Sequence, residues 1–280
     1  MEKWPLGIFT SVGAGLGAGL DAVKELGVPT VQLHAPHKDM ATAEKAAEFK
    51  KQFDDAGVKV TVVFSGFEGE SYADIPTVKK TVGLVPPETR TARLKIAKRN
   101  ADFAKGLGCD ALGMHLGFIP EDKSDPNRAA VIKATRQLCD HCAKNGQRLH
   151  LETGQETADG LLGFIADVGK DNLAVNFDPA NMILYGSGEP IAALRKVGKR
   201  VRSCHCKDAV WSDKPGETWG KEVPLGQGAV GMENFLRTLK EIGYDGALTI
   251  EREIHGPEQK RDIANAIKLL TDLRAKILSQ

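Results

Sequence analysis

The sequence predicts a single α/β domain built as a (β/α)8 barrel, and three observations carry that reading. Short apolar runs alternate with longer helical segments eight times. Most of the helical segments stop at a glycine. Polar residues able to do chemistry stand at the C-terminal ends of the apolar runs. Alternation of this kind produces a parallel sheet, because each strand needs a crossover helix to bring the chain back, and eight strands is a number at which such a sheet closes.

In order, LGIFT (6–10) is the first strand. It leads through the glycine-rich GAGLGAGL (13–20) into a helix ending at Gly27. That glycine-rich stretch lacks the GK[ST] ending and the GxGxxG spacing of phosphate loops, so it reads as a loop entering the helix, with phosphate cradling as the alternative. TVQLH (30–34) precedes TAEKAAEFKKQFDDAG, and VKVTVVFS (58–65) precedes TARLKIAKRNADFAKGLG. DALGMH (110–115) precedes RAAVIKATRQLCDHCAKNG, RLHLE (148–152) precedes TADGLLGFIADVG, and LAVNFD (173–178) precedes PIAALRKVG. VRSCH (201–205) leads to GMENFLRTLKEIG, and ALTIE (247–251) to QKRDIANAIKLLTDLRAKI. Gly27, Gly57, Gly108, Gly146, Gly169, Gly198 and Gly243 occupy the slot just past a helix, where a left-handed C-cap belongs. The stretches 65–87 and 207–230 read as long non-helical loops on the rim where such barrels keep their active sites.

No Pro/Ser-rich linker divides the chain, so residues 1–280 read as one domain. Lys plus Arg number 38 and Asp plus Glu 37, which leaves no overall field to attract nucleic acid or an anionic membrane. Five cysteines, an odd number, fit a reducing compartment better than a disulfide framework. Cys139 and Cys142 form a CxxC inside a helical segment and read as packing residues, as do Cys204 and Cys206. With no signal peptide and no apolar stretch near the ~20 residues a bilayer requires, the expected location is cytoplasmic.

Four residues carry the functional reading. Glu152, Asp178, His205 and Glu251 each end an apolar run, spaced 26, 27 and 46 residues apart. The first two spacings are near the length of one βα unit, and a loop stretches the last. Strand ends converge about the barrel axis, so these side chains can meet at one ion. Carboxylates with one neutral imidazole suit Mn, Mg, Zn, Co or Fe as the divalent metal without selecting among them.

The chain resembles the xylose-isomerase-like TIM barrel superfamily of sugar and sugar-phosphate isomerases and epimerases. The resemblance runs from about residue 5 to 275. It is carried by HLGFIPED (115–122), LHLETGQE (149–156), NFDPANM (176–182), CHCKDA (204–209) and VPLGQG…YDGALTIERE (223–253). The family's strand-end ligands are Glu, Asp, His and Glu in that order, matching Glu152, Asp178, His205 and Glu251. The resemblance implies a metal-dependent isomerase or epimerase of a small sugar, keto-sugar or sugar phosphate. Glu152 and Glu251 would remove and return a proton through a metal-stabilised enediolate. A lyase or dehydratase of the same fold, acting on a keto-sugar or cyclic polyol, is the alternative. A zinc-dependent AP endonuclease is a third, opposed by Asn181, which stands where several family members carry a His that serves the substrate region or additional zinc. Family members are commonly dimers or tetramers, so a homodimer or homotetramer is expected, with a small carbohydrate as the molecule bound.

The remaining candidates surround that set. His115 and His34 end two earlier runs and read as substrate contacts or as structural histidines. Lys207, two residues past His205, reads as a ligand for a substrate oxygen or phosphate, or as a partner of Asp208. Trp211 and Trp219 read as pocket walls or loop anchors. Gln155 and Glu156 read as orienting groups behind Glu152 or as helix caps. Asn181 is placed with the substrate contacts. His150 alternates with Glu152 and reads as a group that faces the barrel interior behind it, whereas His141 and His255 read as surface residues.

Overall fold

The computed structural model describes residues 3–11 and 19–280. Most of the glycine-rich stretch 13–20 therefore lies outside the described residues. The elements run β1 (Leu6–Ser11), α1 (Leu20–Leu26), β2 (Thr30–His34), α2 (Ala43–Asp55), β3 (Lys59–Phe64), α3 (Ile75–Thr81), α4 (Pro87–Gly106), β4 (Ala111–Met114), α5 (Pro126–Lys144) and β5 (Arg148–Glu152). They continue with α6 (Ala158–Val168), β6 (Leu173–Phe177), α7 (Pro179–Tyr185), α8 (Pro190–Val197), β7 (Val201–Cys206), β8 (Asp208–Val210), β9 (Lys221–Val223), α9 (Met232–Glu241), β10 (Leu248–Ile250) and α10 (Pro257–Leu278). Strands β1, β10, β7, β6, β5, β4, β3 and β2 pair in that order into a closed parallel barrel. This is the predicted α/β barrel with helices around it.

Period-two alternation sorts each strand between two environments. In β5, Leu149 and Leu151 join the buried layer between sheet and helices, while His150 and Glu152 take the interior positions. Inside the barrel, Phe9, Val62, Phe64 and Ala111 form a separate small apolar cluster. No helix among the described residues is long and apolar enough to cross a membrane.

Three local expectations need correction. Six of the seven helix-ending glycines have φ between 63° and 75°, but Gly198 has φ −49° and begins a 3-10 turn. Its role is space: a Cβ there would come within 2.7 Å of Ile242.

The stretch 65–87 is not all loop, since it contains α3. Asp74 caps that helix by accepting from Thr77 N, with Pro76 in its first turn. Half-buried Glu70 ties the stretch together, its oxygens accepting from Phe67 N at 2.9 Å and Gly83 N at 2.7 Å.

The stretch 207–230 likewise contains the antiparallel β8–β9 hairpin. Asp208 accepts hydrogen bonds from the backbone of Gly226, Gly228 and Val230, which folds the rest of that segment back on the hairpin.

Candidate metal centre

Glu152 ends β5, Asp178 follows β6, His205 lies in β7, and Glu251 follows β10. Each offers one ligand atom, and these atoms all lie within 4.8 Å of one another. His205 Nδ1 stands 2.8 Å from Glu152 Oε1, 3.3 Å from Asp178 Oδ2 and 3.2 Å from Glu251 Oε2. Glu152, Asp178 and His205 are buried, and Glu251 is nearly so.

The local sequence explains how Asp178 is aimed. Its Oδ1 caps α7 by accepting from Asn181 N at 2.9 Å, so Oδ2 is left facing the cluster. Thr153 pins the backbone beside it, its hydroxyl donating to Asp178 O and accepting from Asp178 N. Pro179 at the first helical position and Gly186 at the C-cap complete a short helix that the apolar pattern did not announce.

His205 is held on every side. Phe9 stands edge-on at 5.5 Å between centroids and Phe64 is tilted at 5.3 Å. On its far side His205 Nε2 meets Gln32 Oε1 at 2.7 Å. Burial opposes protonation of this imidazole, but the charges of Glu251 and Glu152 and the bonds to Asp178 and Glu152 outweigh it and hold its pKa well above the ordinary value. Burial likewise pushes the Glu251 carboxyl up, yet His205 and Lys207 draw it below the usual carboxylate range. Three converging carboxylates thus make a place for positive charge.

Lys207 is fully buried. Its Nζ bonds to Glu251 Oε2 and Glu253 Oε1 at 3.0 Å and to Asn181 Oδ1 at 3.1 Å. Burial lowers its pKa, but Glu251, Glu253 and Asp178 raise it further, so the ammonium stays charged. Its partners are these groups and not Asp208, which is occupied by backbone amides. Asn181 bridges the set, its Nδ2 donating to Glu152 Oε1 at 3.3 Å.

His115 Nε2 lies 3.0 Å from Glu152 Oε2, and its Nδ1 lies 3.3 Å from Gln155 Nε2, which also bonds to Tyr185 OH. His115 and Gln155 therefore stand in line behind Glu152. Glu156 turns away and accepts from Ile119 N, with burial raising its carboxyl to about 7. His34 bonds to Ala35 O through Nδ1 and makes no hydrogen bond to the cluster. Trp219 packs edge-on against Tyr185 at 4.6 Å, whereas Trp211 is 40% exposed and has no hydrogen bond or ring contact with any described residue.

His150 does face the interior, but it bonds to Ser203 Oγ at 2.8 Å and not to a cluster member. His141 is half-buried and paired with Asp102, and His255 is exposed. All five cysteines are buried and free, and burial pushes the Cys139 and Cys142 thiols to about 12, against redox use of that CxxC.

Sequence reasoning missed Gln32, Phe9 and Phe64. A lone amide inside the apolar run TVQLH was a signal for the first. The two phenylalanines carry none, because an aromatic in a strand is ordinary core.

Comparison with known proteins places this geometry. A family model described as a xylose isomerase-like TIM barrel matches residues 20–273. A xylose isomerase domain protein from Planctomyces limnophilus is 56% identical, with a TM-score of 0.98 over 100% of both chains. A xylose isomerase-like TIM barrel protein from Mycobacterium smegmatis, solved in complex with magnesium, is 21% identical with a TM-score of 0.72 over 99% of this chain and 100% of that one. An L-ribulose 3-epimerase of Methylomonas sp. is 24% identical over 168 residues, 56% of this chain and 54% of that protein. The chain spans about half the length of the curated relatives it matches. With the matched family model covering nearly all of the barrel, the chain belongs to the xylose isomerase-like TIM barrel family.

Proposed function

We propose that this protein is a divalent-metal-dependent isomerase or epimerase of a small sugar, keto-sugar or sugar phosphate. The observation that carries the proposal is the convergence of Glu152, Asp178, His205 and Glu251 to within 4.8 Å at the C-terminal end of the barrel. The donor set fits a divalent ion: three carboxylates gathered in a buried place need more positive charge than Lys207 supplies, and His205 presents a ring nitrogen to the same point. The epimerase relative and the magnesium-containing family member support the same reading.

When bound, the ion would supply Lewis-acid polarisation of a carbonyl and its neighbouring hydroxyl, which acidifies the C–H between them. The chain supplies the proton transfer, with one of Glu152 and Glu251 taking the proton and the other returning it. Asn181 Nδ2 and His115 Nε2 each hold one oxygen of Glu152. Lys207 and His205 both engage Oε2 of Glu251, and no described residue hydrogen-bonds its Oε1, the oxygen left to serve carbon. Asn181, spent between Glu152 and Lys207, is a poor zinc ligand, which favours one metal over a multi-zinc nuclease site.

The test is turnover of L-ribulose, D-tagatose and related keto-sugars in D2O, followed by NMR, after chelation and readdition of Mn2+, Mg2+, Co2+, Zn2+ or Fe2+. Metal-dependent deuterium incorporation with retained mass balance is expected. Loss of water or of an aglycone would reassign the protein as a lyase, and turnover that survives chelation would overturn the reading.

A further inference from the structure

Gln32 makes a set of bonds that fixes more than its own position. It is 1% exposed in β2, across the barrel from β7. Its Nε2 lies 3.3 Å from Asn176 Oδ1 and 3.4 Å from Cys204 O. Cys204 O is a backbone carbonyl and can only accept, so the amide must turn its NH2 that way. Oε1 is thereby aimed at His205 Nε2, 2.7 Å distant. An amide oxygen also can only accept, so His205 must carry a hydrogen on Nε2. In the neutral ring this leaves Nδ1 with its lone pair, and Nδ1 is the nitrogen that faces Glu152, Asp178 and Glu251. The residue that orients the amide is the one that precedes His205 in the chain, so strand and imidazole are set together.

We propose that Gln32 is the positioning residue that selects the Nε2–H form of His205 and so makes Nδ1 a ligand. The inference rests on the metal reading above. Phe9 and Phe64 restrict the tilt of the ring, but apolar rings cannot choose which nitrogen is protonated. Among the described residues in contact with Nε2, only the amide does that.

The experiment compares wild type, Gln32→Leu and Gln32→Glu in two measurements: Zn2+ and Mn2+ affinity by competition with a fluorescent chelator, and the 15N shifts of the His205 ring. Leucine removes the acceptor, so affinity should fall about 10- to 100-fold. Glutamate keeps an oxygen opposite Nε2 but can no longer donate to Cys204 O, and it should bind within a few-fold of wild type. A purely structural role makes the opposite forecast, because both variants lose the bonds to Asn176 and Cys204 and should be equally impaired. The proposal is overturned if Gln32→Leu binds as tightly as wild type, or if Gln32→Glu is as poor as Gln32→Leu. A wild type that binds neither ion overturns the metal reading instead. The shifts of the metal-free ring, taken at a pH high enough to neutralise the imidazolium that the carboxylates favour, then decide: Nε2–H in wild type and its loss in Gln32→Leu support the role of Gln32, and a neutral ring with Nδ1–H in wild type overturns it. Should Gln32→Leu fail to fold, Gln32→Met supplies the same test at a length closer to glutamine.

Discussion

Two layers of the barrel interior are built by the same two strands and meet opposite fates. On β5 and β7, Glu152 faces His205, and two residues earlier on each strand His150 faces Ser203. Both imidazoles are buried. The upper one is surrounded by carboxylates, which raise its pKa. In the lower one burial leads, with the charges of Arg148 and Arg202 acting in the same direction, and its pKa falls to about 3. Residue type did not decide this; the neighbours did. The upper layer gathers charge, while the lower one is a satisfied, neutral part of the core.

The largest expected effect separates the layers by function. Glu152→Gln or Glu251→Gln keeps shape and removes the base, so kcat on a turned-over keto-sugar should fall by about 10²- to 10⁴-fold. Steady-state kinetics would check it. Unchanged turnover in both variants would remove these residues from proton transfer and erase the functional distinction between the layers.

The next effect lies in stability. Leu149 on β5 is 0% exposed and packs in the main core, so Leu149→Ala should cost about 2–5 kcal/mol in urea unfolding. Divalent-ion affinity of the folded variant should stay near wild type. If it fell in step with stability, the packing between sheet and helices and the upper cluster would be one cooperative unit and not two.

His150 sharpens the comparison through pH. Its pKa is about 3 in the folded protein against an ordinary 6.5. Between those values the unfolded chain binds a proton that the folded chain refuses. Stability is therefore complete above pH 6.5 and declines as pH falls toward 3, by on the order of a few kcal/mol for this group. His150→Gln removes the titration, so its loss of stability from pH 6.5 to 3 should be smaller than that of wild type, measured by denaturant midpoints across that range. Parallel curves for the two proteins would mean that the ring is protonated in the fold.

Particular residues show what could be read in advance. Glu152, Asp178, His205 and Glu251 were legible as a set because period-two alternation and parallel topology bring strand ends to one place. Gln32 sits in the middle of a run, and its meaning depends on β2 facing β7 across the barrel, which no local pattern contains. Helix α7 had its signals in place at Asp178, Pro179 and Gly186, but a seven-residue helix straight after a strand gives the apolar period too little length to show. Lys207 was placed near the site from spacing alone. Its partners came out as Glu251 and Glu253 because the segment after β9 folds back and occupies Asp208.

The smallest effect concerns the two tryptophans of the segment after β7, which the sequence could not tell apart. Trp219 rests on Tyr185, whose hydroxyl bonds to the Gln155 that lies behind His115. Trp211 begins the turn of the hairpin, 40% exposed and without such a chain of contacts. Trp211→Ser should therefore change stability by no more than about 0.5 kcal/mol and leave KM unchanged. Trp219→Leu loses the edge-on contact with Tyr185, worth about 0.5–1.5 kcal/mol, and should raise KM more than it lowers kcat. Thermal melts and steady-state kinetics on the pair would check both. An increase in KM for Trp211→Ser would bring the hairpin tip into the substrate pocket and extend the chemical layer of the barrel outward from its rim.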